Sequence, residues 1–250
     1  MNSIREITAG IDWEILVHDA NTGYSAGEKR INELIELSRK KTPDLEIGED
    51  LDLLEVRLGV LYSYEELLEK VVRAFNTCRQ IASSHNMVLV PIGFREVDNN
   101  PAGGHMHFGS LEKHEHCVEL YNRLMPFVPA IISIASSSPS LDRRYRSTRI
   151  KHNAGYCSQP MSGMNIEETL PHWGSDVCIK YPDKSTIEFR ASDSQPLPEL
   201  MAELTALYTG LSTKLLQLRK IPYKPNLIEY GLNRMNAVRF GMRATFRINN

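Results

Sequence analysis

The sequence predicts an α+β fold in which an antiparallel sheet carries long helices on one face. Four short segments alternate polar and apolar residues, as half-buried strands do. Four longer segments instead repeat apolar residues at the spacing of a helix. The 250 residues, of which 42% are hydrophobic and 24% charged, suit one sizeable domain spanning residues 1–250.

Each of the four predicted strands has one polar face and one apolar face. Side chains two residues apart in a strand point the same way, so each segment places a polar pair opposite its apolar residues. The four pairs are Asp12 with Glu14, Glu55 with Arg57, His105 with His107, and Glu188 with Arg190. Together these segments predict one sheet with a charged face.

A charged face of this composition points to a bound metal. Clustered carboxylates repel one another and take up protons unless cations neutralise them. Carboxylate oxygens with one or two imidazoles suit Mg²⁺ or Mn²⁺, usually completed by substrate phosphates. Any single polar triplet is more often the solvated side of an ordinary strand. Two histidines at strand spacing, flanked by glycines, and three acidic triplets favour the metal site.

The first two helices are predicted from their start signals. Ser25 with Glu28 and Ser63 with Glu66 have the spacing of a capping box. The first helix should run to about Lys41, where a Thr-Pro pair stops it. An apolar stripe follows the second cap: Leu67, Leu68, Val71, Val72, Phe75, Cys78 and Ile81.

Two further helices are predicted in the second half of the chain. The third should run from Ser110 to about Ser136, divided by Pro126 and Pro129. Pro198 should open the last one, whose leucine stripe favours core packing and is also compatible with a homo-oligomer. That stripe consists of Leu200, Leu204, Leu207, Leu211, Leu215 and Leu218. Residues 87–94 read as a buried strand, and residues 177–181 as the partner of the Glu188 strand in a hairpin.

A basic run between residues 143 and 151 offers a second functional signal. Its cations are Arg143, Arg144, Arg146, Arg149 and Lys151. Such a run is often only a solvated loop. Beside a carboxylate and metal face, however, guanidinium groups are natural partners for polyphosphate because they present paired donors.

Charge and composition argue against several classes of partner. A formal net charge of −2 gives no general attraction to nucleic acid or to an anionic membrane. The polar first ten residues lack the apolar core of a secretory signal, and the apolar stretch at 127–135 is too short to span a bilayer. The four cysteines are scattered without a Cys-x-x-Cys pair. We therefore expect a cytoplasmic protein with reduced cysteines.

The ordered motifs resemble those of the type 2 glutamate-cysteine ligases, which are carboxylate-amine ligases of the glutamine synthetase fold. The small phage-encoded carboxylate-amine ligases of that superfamily are similar as well. The segments that carry the resemblance are residues 10–14, 54–60, 104–109, 145–147, 186–190 and 236–241. The resemblance implies a curved antiparallel sheet with helices on its convex face.

This resemblance also implies an activity and a set of roles. Family members use ATP and Mg²⁺ or Mn²⁺ to phosphorylate a carboxylate, often the γ-carboxylate of glutamate or a glutamate-like group. An amine then displaces phosphate, leaving an amide and ADP. Matching the motifs gives Asp12, Glu14, Glu55, His105 and Glu188 as metal ligands. It gives as nucleotide-binding residues His107, Arg144, Arg146, Arg190 and Arg239. Of these, Arg146 and Arg190 would be catalytic residues that contact the transferring phosphoryl group.

Three departures from the family pattern limit what the resemblance implies. Asp12 stands where many members have glutamate, so this ligand is shorter. Usual members continue well beyond residues 239–241, which predicts either a compact branch or a truncated chain. The segment at 155–173 matches no motif, which leaves the amine open.

Two other functions compete with the ligase. His105 and His107 with Glu112 match the metal signature of cupins, although cupins need many short strands and this chain has four helical stripes. A non-catalytic relative that binds nucleotide without turnover is the third reading.

Overall fold

A seven-stranded antiparallel sheet forms the centre of the protein. In the computed structural model, which describes residues 7–97, 99–154, 157–160, 174–220 and 223–248, the sheet has the order β2-β3-β1-β7-β9-β8, with β4 paired to the far end of β1. A separate two-stranded ribbon is formed by β5 and β6.

The strands are β1 (Ala9–Asp19), β2 (Glu46–Asp50), β3 (Leu53–Leu61), β4 (Met87–Val90), β5 (Phe94–Arg95), β6 (Asn100–Pro101), β7 (Gly104–Phe108), β8 (Val177–Lys180) and β9 (Thr186–Phe189). The helices are α1 (Glu28–Lys41), α2 (Tyr64–Ser84), α3 (His114–Leu124), α4 (Val128–Ala135), α5 (Thr148–Lys151), α6 (Pro198–Gln217) and α7 (Leu227–Phe240).

The four strands predicted from alternation are neighbours in the order β3-β1-β7-β9, which confirms the predicted sheet. Their registers pair polar residues across the ladders. Glu14 lies opposite Glu55 and Asp12 opposite His105. His107 lies opposite Glu188. Side chains directly opposite each other in a ladder share a face, so these registers assemble one polar surface.

The reverse face of the sheet is the core, and helices cover it. Trp13 of β1 is fully buried and stacks on Phe75 of α2 with ring centroids 5.3 Å apart. Phe189 of β9 packs on Tyr208 of α6 at the same centroid distance. Since burial of large aromatic side chains is among the strongest contributions to core stability, these contacts fix the helical layer against the apolar face.

Helix α2 starts as predicted, whereas α1 does not. Ser63 caps α2 by accepting the backbone N–H of Glu66. Helix α1 ends at Lys41 as expected, but its cap is Gly27, and the Ser25 hydroxyl accepts the N–H of Gly27 rather than that of Glu28. The first predicted capping box is therefore wrong.

The two prolines divide the third helical stretch, as predicted. A 3₁₀ turn over Met125–Phe127 separates α3 from α4. Ser110 is not the cap, because it has a left-handed backbone with φ of 66° and α3 begins only at His114. The stretch His114–Ala135 is long and apolar enough to cross a membrane, and more than half of it is buried inside the protein, as in a core helix.

The remaining expectations have mixed outcomes. The hairpin of β8 and β9 and the helix starting at Pro198 are confirmed. The predicted strand at 87–94 is interrupted, because only Met87–Val90 pairs with β1.

Helix α7 was not predicted. Along α6, Leu204 and Leu215 are buried while Leu207 is half exposed, so the stripe packs only in part. The segment at 155–173 lies mostly outside the described residues.

Candidate active site

The polar face of the sheet lines a cavity of about 490 Å³. The structure brings together every strand-borne residue predicted for the site. Glu14, Glu55, His105 and Glu188 are each at most 5% exposed. The cavity is lined by Asp12, Glu14, Asp50, Leu51, Leu53, Glu55, Asn100, Pro101, His105, His107, Lys180, Asp183, Lys184, Glu188 and Arg190.

Glu188 is the centre of this cluster. Its Oε1 accepts a hydrogen bond from Arg190 at 2.6 Å, and its Oε2 lies 2.9 Å from the Lys180 ammonium. The same Oε1 lies 3.5 Å from His105 Nδ1 and 3.9 Å from His107 Nε2. Two cations therefore compensate the buried carboxylate, and both imidazoles face it.

Glu14, Asp50 and Glu55 form an acidic trio within the cavity. One oxygen from each lies within 4.8 Å of the others. Asp50 ends β2 and reaches the trio because β2 pairs with β3 next to Glu55. Three carboxylates beside a buried imidazole are the donor set that Mg²⁺ or Mn²⁺ prefers, so the residues fit the implied metal.

Burial sets the protonation of the cluster. It raises the pKa of Glu14 to about 7, and, together with the neighbouring charge of Asp12, it raises the pKa of Glu55 to about 7. Burial acts on Asp12 in the same direction, but the hydrogen bond and charge of His107, whose Nε2 lies 3.0 Å away, leave its pKa lowered. Burial and the charges of Arg190 and Arg149 lower the pKa of His105 well below its usual value. A neutral imidazole retains the lone pair that a metal requires.

These shifts predict how metal binding depends on pH. Because the carboxyl pKa values of Glu14 and Glu55 are raised in the folded protein, their contribution to stability is complete below about pH 4.5 and is lost as the pH rises through about 7. A divalent cation binds the deprotonated carboxylates and restores the lost stability. We expect Mn²⁺ to raise the melting temperature more at about pH 8 than at about pH 6.

Melting curves with and without Mn²⁺ at both pH values measure this difference. Because each Mn²⁺ shift is taken at one pH, the pH effects of other groups cancel. The Glu55→Gln variant is the control, because it removes one of the two raised carboxyls and should flatten the dependence. Equal Mn²⁺ shifts at both pH values in the unmodified protein would contradict the prediction.

Arg149 is a site residue that the sequence did not single out. Its fully buried guanidinium donates to the carbonyl oxygens of Arg190 and Ser192, both at 3.1 Å, and lies 3.1 Å from His105 Nε2. It therefore connects α5 to the end of β9 and to the imidazole of β7. Asp50, Lys180 and Lys184 are among the other cavity-lining residues that were missed.

The remaining predicted arginines do not line the cavity. Arg144 is exposed and pairs with Asp142 at 3.2 Å. The guanidinium of Arg239 lies over the ring of Phe240, 5.2 Å from its centroid. Arg146 also has an exposed side chain, while its backbone N–H donates to the end of α7. Their roles toward the nucleotide stay predictions.

A second, smaller cavity of about 260 Å³ adjoins the first. Gly10, Gly59 and Gly109 form its floor. Each lies two residues beyond a polar side chain of the polar face. The side chains of Thr8 and Thr186 also line this cavity, and the Thr8 hydroxyl lies against Gly109. His107 and Lys184 line both cavities and connect them. The result is a flat, glycine-lined slot beside the carboxylates.

Comparison with known proteins gives sequence relatives and a structural neighbour. No protein-family model matches the chain. A Legionella pneumophila (strain Lens) protein named "Putative glutamate--cysteine ligase 2-1" is 25% identical over 293 residues, covering 96% of this chain and 76% of the relative. One from strain Corby, named "Putative glutamate--cysteine ligase 2-2", is 28% identical over 167 residues, covering 57% of this chain and 44% of the relative.

The structure of Plasmodium falciparum glutamine synthetase, determined by cryo-electron microscopy, aligns with a TM-score of 0.57 at 10% identity. The alignment covers 87% of this chain and 53% of that chain. In sequence the chain is similar to the Legionella relatives, and its fold is that of glutamine synthetase. It spans about half the length of the glutamine synthetase chain.

The glutamine synthetase fold confirms the predicted α+β class and the family resemblance. It does not agree with the cupin alternative, which needs a β-barrel. Glu112, the third ligand of that alternative, is exposed and does not line the cavity that holds His105 and His107. The relatives' names indicate a carboxylate-amine ligase.

Proposed function

We propose that this protein is a cytoplasmic, ATP-dependent and ADP-forming carboxylate-amine ligase. The observation that carries the proposal is the shared polar face, on which buried carboxylates and imidazoles adjoin the glycine-lined slot. Phosphoryl transfer needs positioned metals and cations rather than covalent chemistry from the protein. This face has side chains that fit a metal, and it has the cations Lys180 and Arg190.

The acidic residues and imidazoles of the site have a different role from its cations. Glu14, Asp50, Glu55, His105 and Glu188 would hold Mg²⁺ or Mn²⁺, with Asp12 and His107 at the rim toward the slot. A metal held there would offset the charge of the nucleotide phosphates. Arg190 and Lys180, both fixed by Glu188, offer cationic donors to the transferring phosphoryl group.

The bond changes follow from this arrangement. A carboxylate oxygen attacks the γ-phosphorus of ATP, the bond to the β-phosphate oxygen breaks, and ADP leaves. The amine nitrogen then forms a bond to the acyl carbon, and phosphate leaves with the electron pair of the broken C–O bond. The proton lost from the amine passes to the released phosphate or to water. Names of the relatives support glutamate or a glutamate-like group as the carboxylate.

The glycine-lined slot is proposed to hold the adenine of ATP. Its volume suits a planar base, and the open space beside Gly59 leaves room for the ring next to the backbone of β3. The phosphates would then pass His107 and Lys184 toward the metals. Gly59 offers a clean test, because a Cβ added there meets no atom within 4 Å and its backbone is not left-handed.

We expect Gly59→Leu to raise the KM for ATP by about tenfold or more, since its side chain would occupy space that the base needs. Steady-state ADP release measures the KM. Metal binding, followed by Mn²⁺-induced melting shifts, should not change. Gly210→Leu on α6 is the matched control, because a Cβ at that exposed glycine also meets no atom. An unchanged KM for ATP in Gly59→Leu would contradict the placement.

The activity itself is tested by ADP release with Mg²⁺ and ATP. A panel of carboxylates, including glutamate, is assayed with and without pooled amines and amino acids. Release that needs one carboxylate and rises with one amine pool is the expected result. ATP binding without release from any pair would favour a non-catalytic nucleotide-binding relative.

A further inference from the structure

A third cavity lies on the opposite side of the metal site from the glycine-lined slot. It has a volume of about 870 Å³, within the range of small-molecule sites. Pro101 of β6 lines both this cavity and the metal cavity. The ribbon of β5 and β6 is therefore a shared wall, and a ligand in the third cavity lies next to the metal site.

One pair of a cation with an aromatic ring and one pair of rings form part of the cavity wall. The ammonium of Lys151 lies 4.3 Å from the ring centroid of Tyr145. The ring of His152 lies beside Phe94, with centroids 6.2 Å apart. Lys151 and His152 are consecutive at the end of α5, so one edge of the cavity presents two nitrogen donors next to two aromatic rings. A carboxylate attached to an apolar body complements such a surface.

The cavity also offers groups that suit an amine. Glu96 lines it, and its Oε1 accepts the N–H of Leu141 at 3.1 Å, which holds the carboxylate in place. Thr148, another lining residue, is 2% exposed, and its hydroxyl has no hydrogen-bond partner among the residues that the structure describes. A buried hydroxyl without a partner is destabilising, and rotation about its Cα–Cβ bond would turn it toward a ligand.

We propose that this cavity binds the amine substrate as an α-amino acid with an apolar or aromatic side chain. The inference rests on the proposed ligase function and adds the class of the amine. The α-carboxylate lies at Lys151 and His152, the side chain packs against Tyr145 and Phe94, and the amine faces Pro101 and the metal site. The nucleotide base and the amine thus approach the metals from opposite sides.

Binding is tested without turnover, on protein loaded with Mg²⁺ and a non-hydrolysable ATP analogue. Each proteinogenic L-amino acid is added in turn at millimolar concentration and followed by saturation-transfer NMR. At least one apolar or aromatic amino acid should bind, and Lys151→Met should weaken its affinity by about tenfold, because the charged donor is lost and the aliphatic stem is kept. Lys41→Met, at the exposed end of α1, is the matched control and should bind as the unmodified protein does.

The proposal is overturned if no amino acid binds, or if Lys151→Met binds as well as the unmodified protein. In the turnover assay, Lys151→Met should raise the KM for the amino acid and leave the KM for ATP unchanged. Amino-acid binding that is lost in Lys151→Met, with no ADP release from any substrate pair, would overturn the ligase function and retain the binding site. ADP release with an amine whose KM is unaffected by Lys151→Met would support the ligase function and overturn the proposed binding site.

Discussion

The Glu188→Gln variant is expected to lose more than about 100-fold of ADP release while it remains folded. Loss of a residue that only supports a metal ligand typically costs 10–100-fold, and Glu188 contacts both cations and faces both imidazoles of the site. Glutamine has nearly the same shape and keeps one acceptor for Arg190, so the sheet should persist. Steady-state ADP release measures the expected loss of activity. The Mn²⁺-induced melting shift measures the loss of metal binding, which we also expect.

The control for this variant is Glu36→Gln, which changes an exposed carboxylate on α1. It should have normal activity and a normal Mn²⁺ shift. A thermal unfolding curve of Glu188→Gln close to that of the unmodified protein separates a lost metal site from a lost fold. Normal turnover in folded Glu188→Gln would refute the assignment of this cavity as the active site.

The strands of the site were predictable because each has one face in the core. Burial of Trp13 and Phe189 on one side requires strict alternation, and alternation marks the opposite side as a continuous polar surface. The order of the strands in the sheet is not encoded in any one segment. Periodicity predicted the polar pairs, and their assembly into one cavity became visible only with the registers.

The missed site residues lack a local signal of this kind. Arg149 is one of four arginines within seven positions, and only its buried place in α5, next to His105, distinguishes it from the exposed Arg144 and Arg146. Asp50 ends β2, but in the sequence it stands in an acidic stretch that resembles a solvated loop. Lys180 did have a signal, because it ends the strand predicted to pair with that of Glu188.

Helix α7 was missed because its buried face is largely polar. Glu229, Asn233 and Arg234 are among its buried residues, so the chain shows no apolar stripe at helical spacing. Such a helix is held by hydrogen bonds and ion pairs that only the tertiary structure supplies. The position of the 236–241 segment, and with it Arg239, therefore depends on contacts that periodicity cannot detect.

Asp176→Ala is expected to destabilise the protein by about 3–5 kcal/mol, because it leaves a buried guanidinium without its counter-charge. Asp176 is fully buried and accepts hydrogen bonds from Arg234 Nε at 2.7 Å and from the Tyr230 hydroxyl at 2.7 Å. Arg234 also donates to the carbonyl oxygen of Cys157, so it joins α7 to two other segments. At this chain length the loss corresponds to a melting temperature lower by about 10 °C.

Thermal and urea unfolding measure the change, and Asp142→Ala provides the control. Asp142 is an exposed carboxylate that pairs with Arg144 and accepts a hydrogen bond from the Ser140 hydroxyl, so its removal should change stability by no more than about 1 kcal/mol. The double variant Asp176→Ala with Arg234→Leu should be less destabilised than the sum of the two single changes, because it removes the unpaired charge as well. A loss in Asp176→Ala as small as that in Asp142→Ala would mean that α7 is held by its apolar contacts alone.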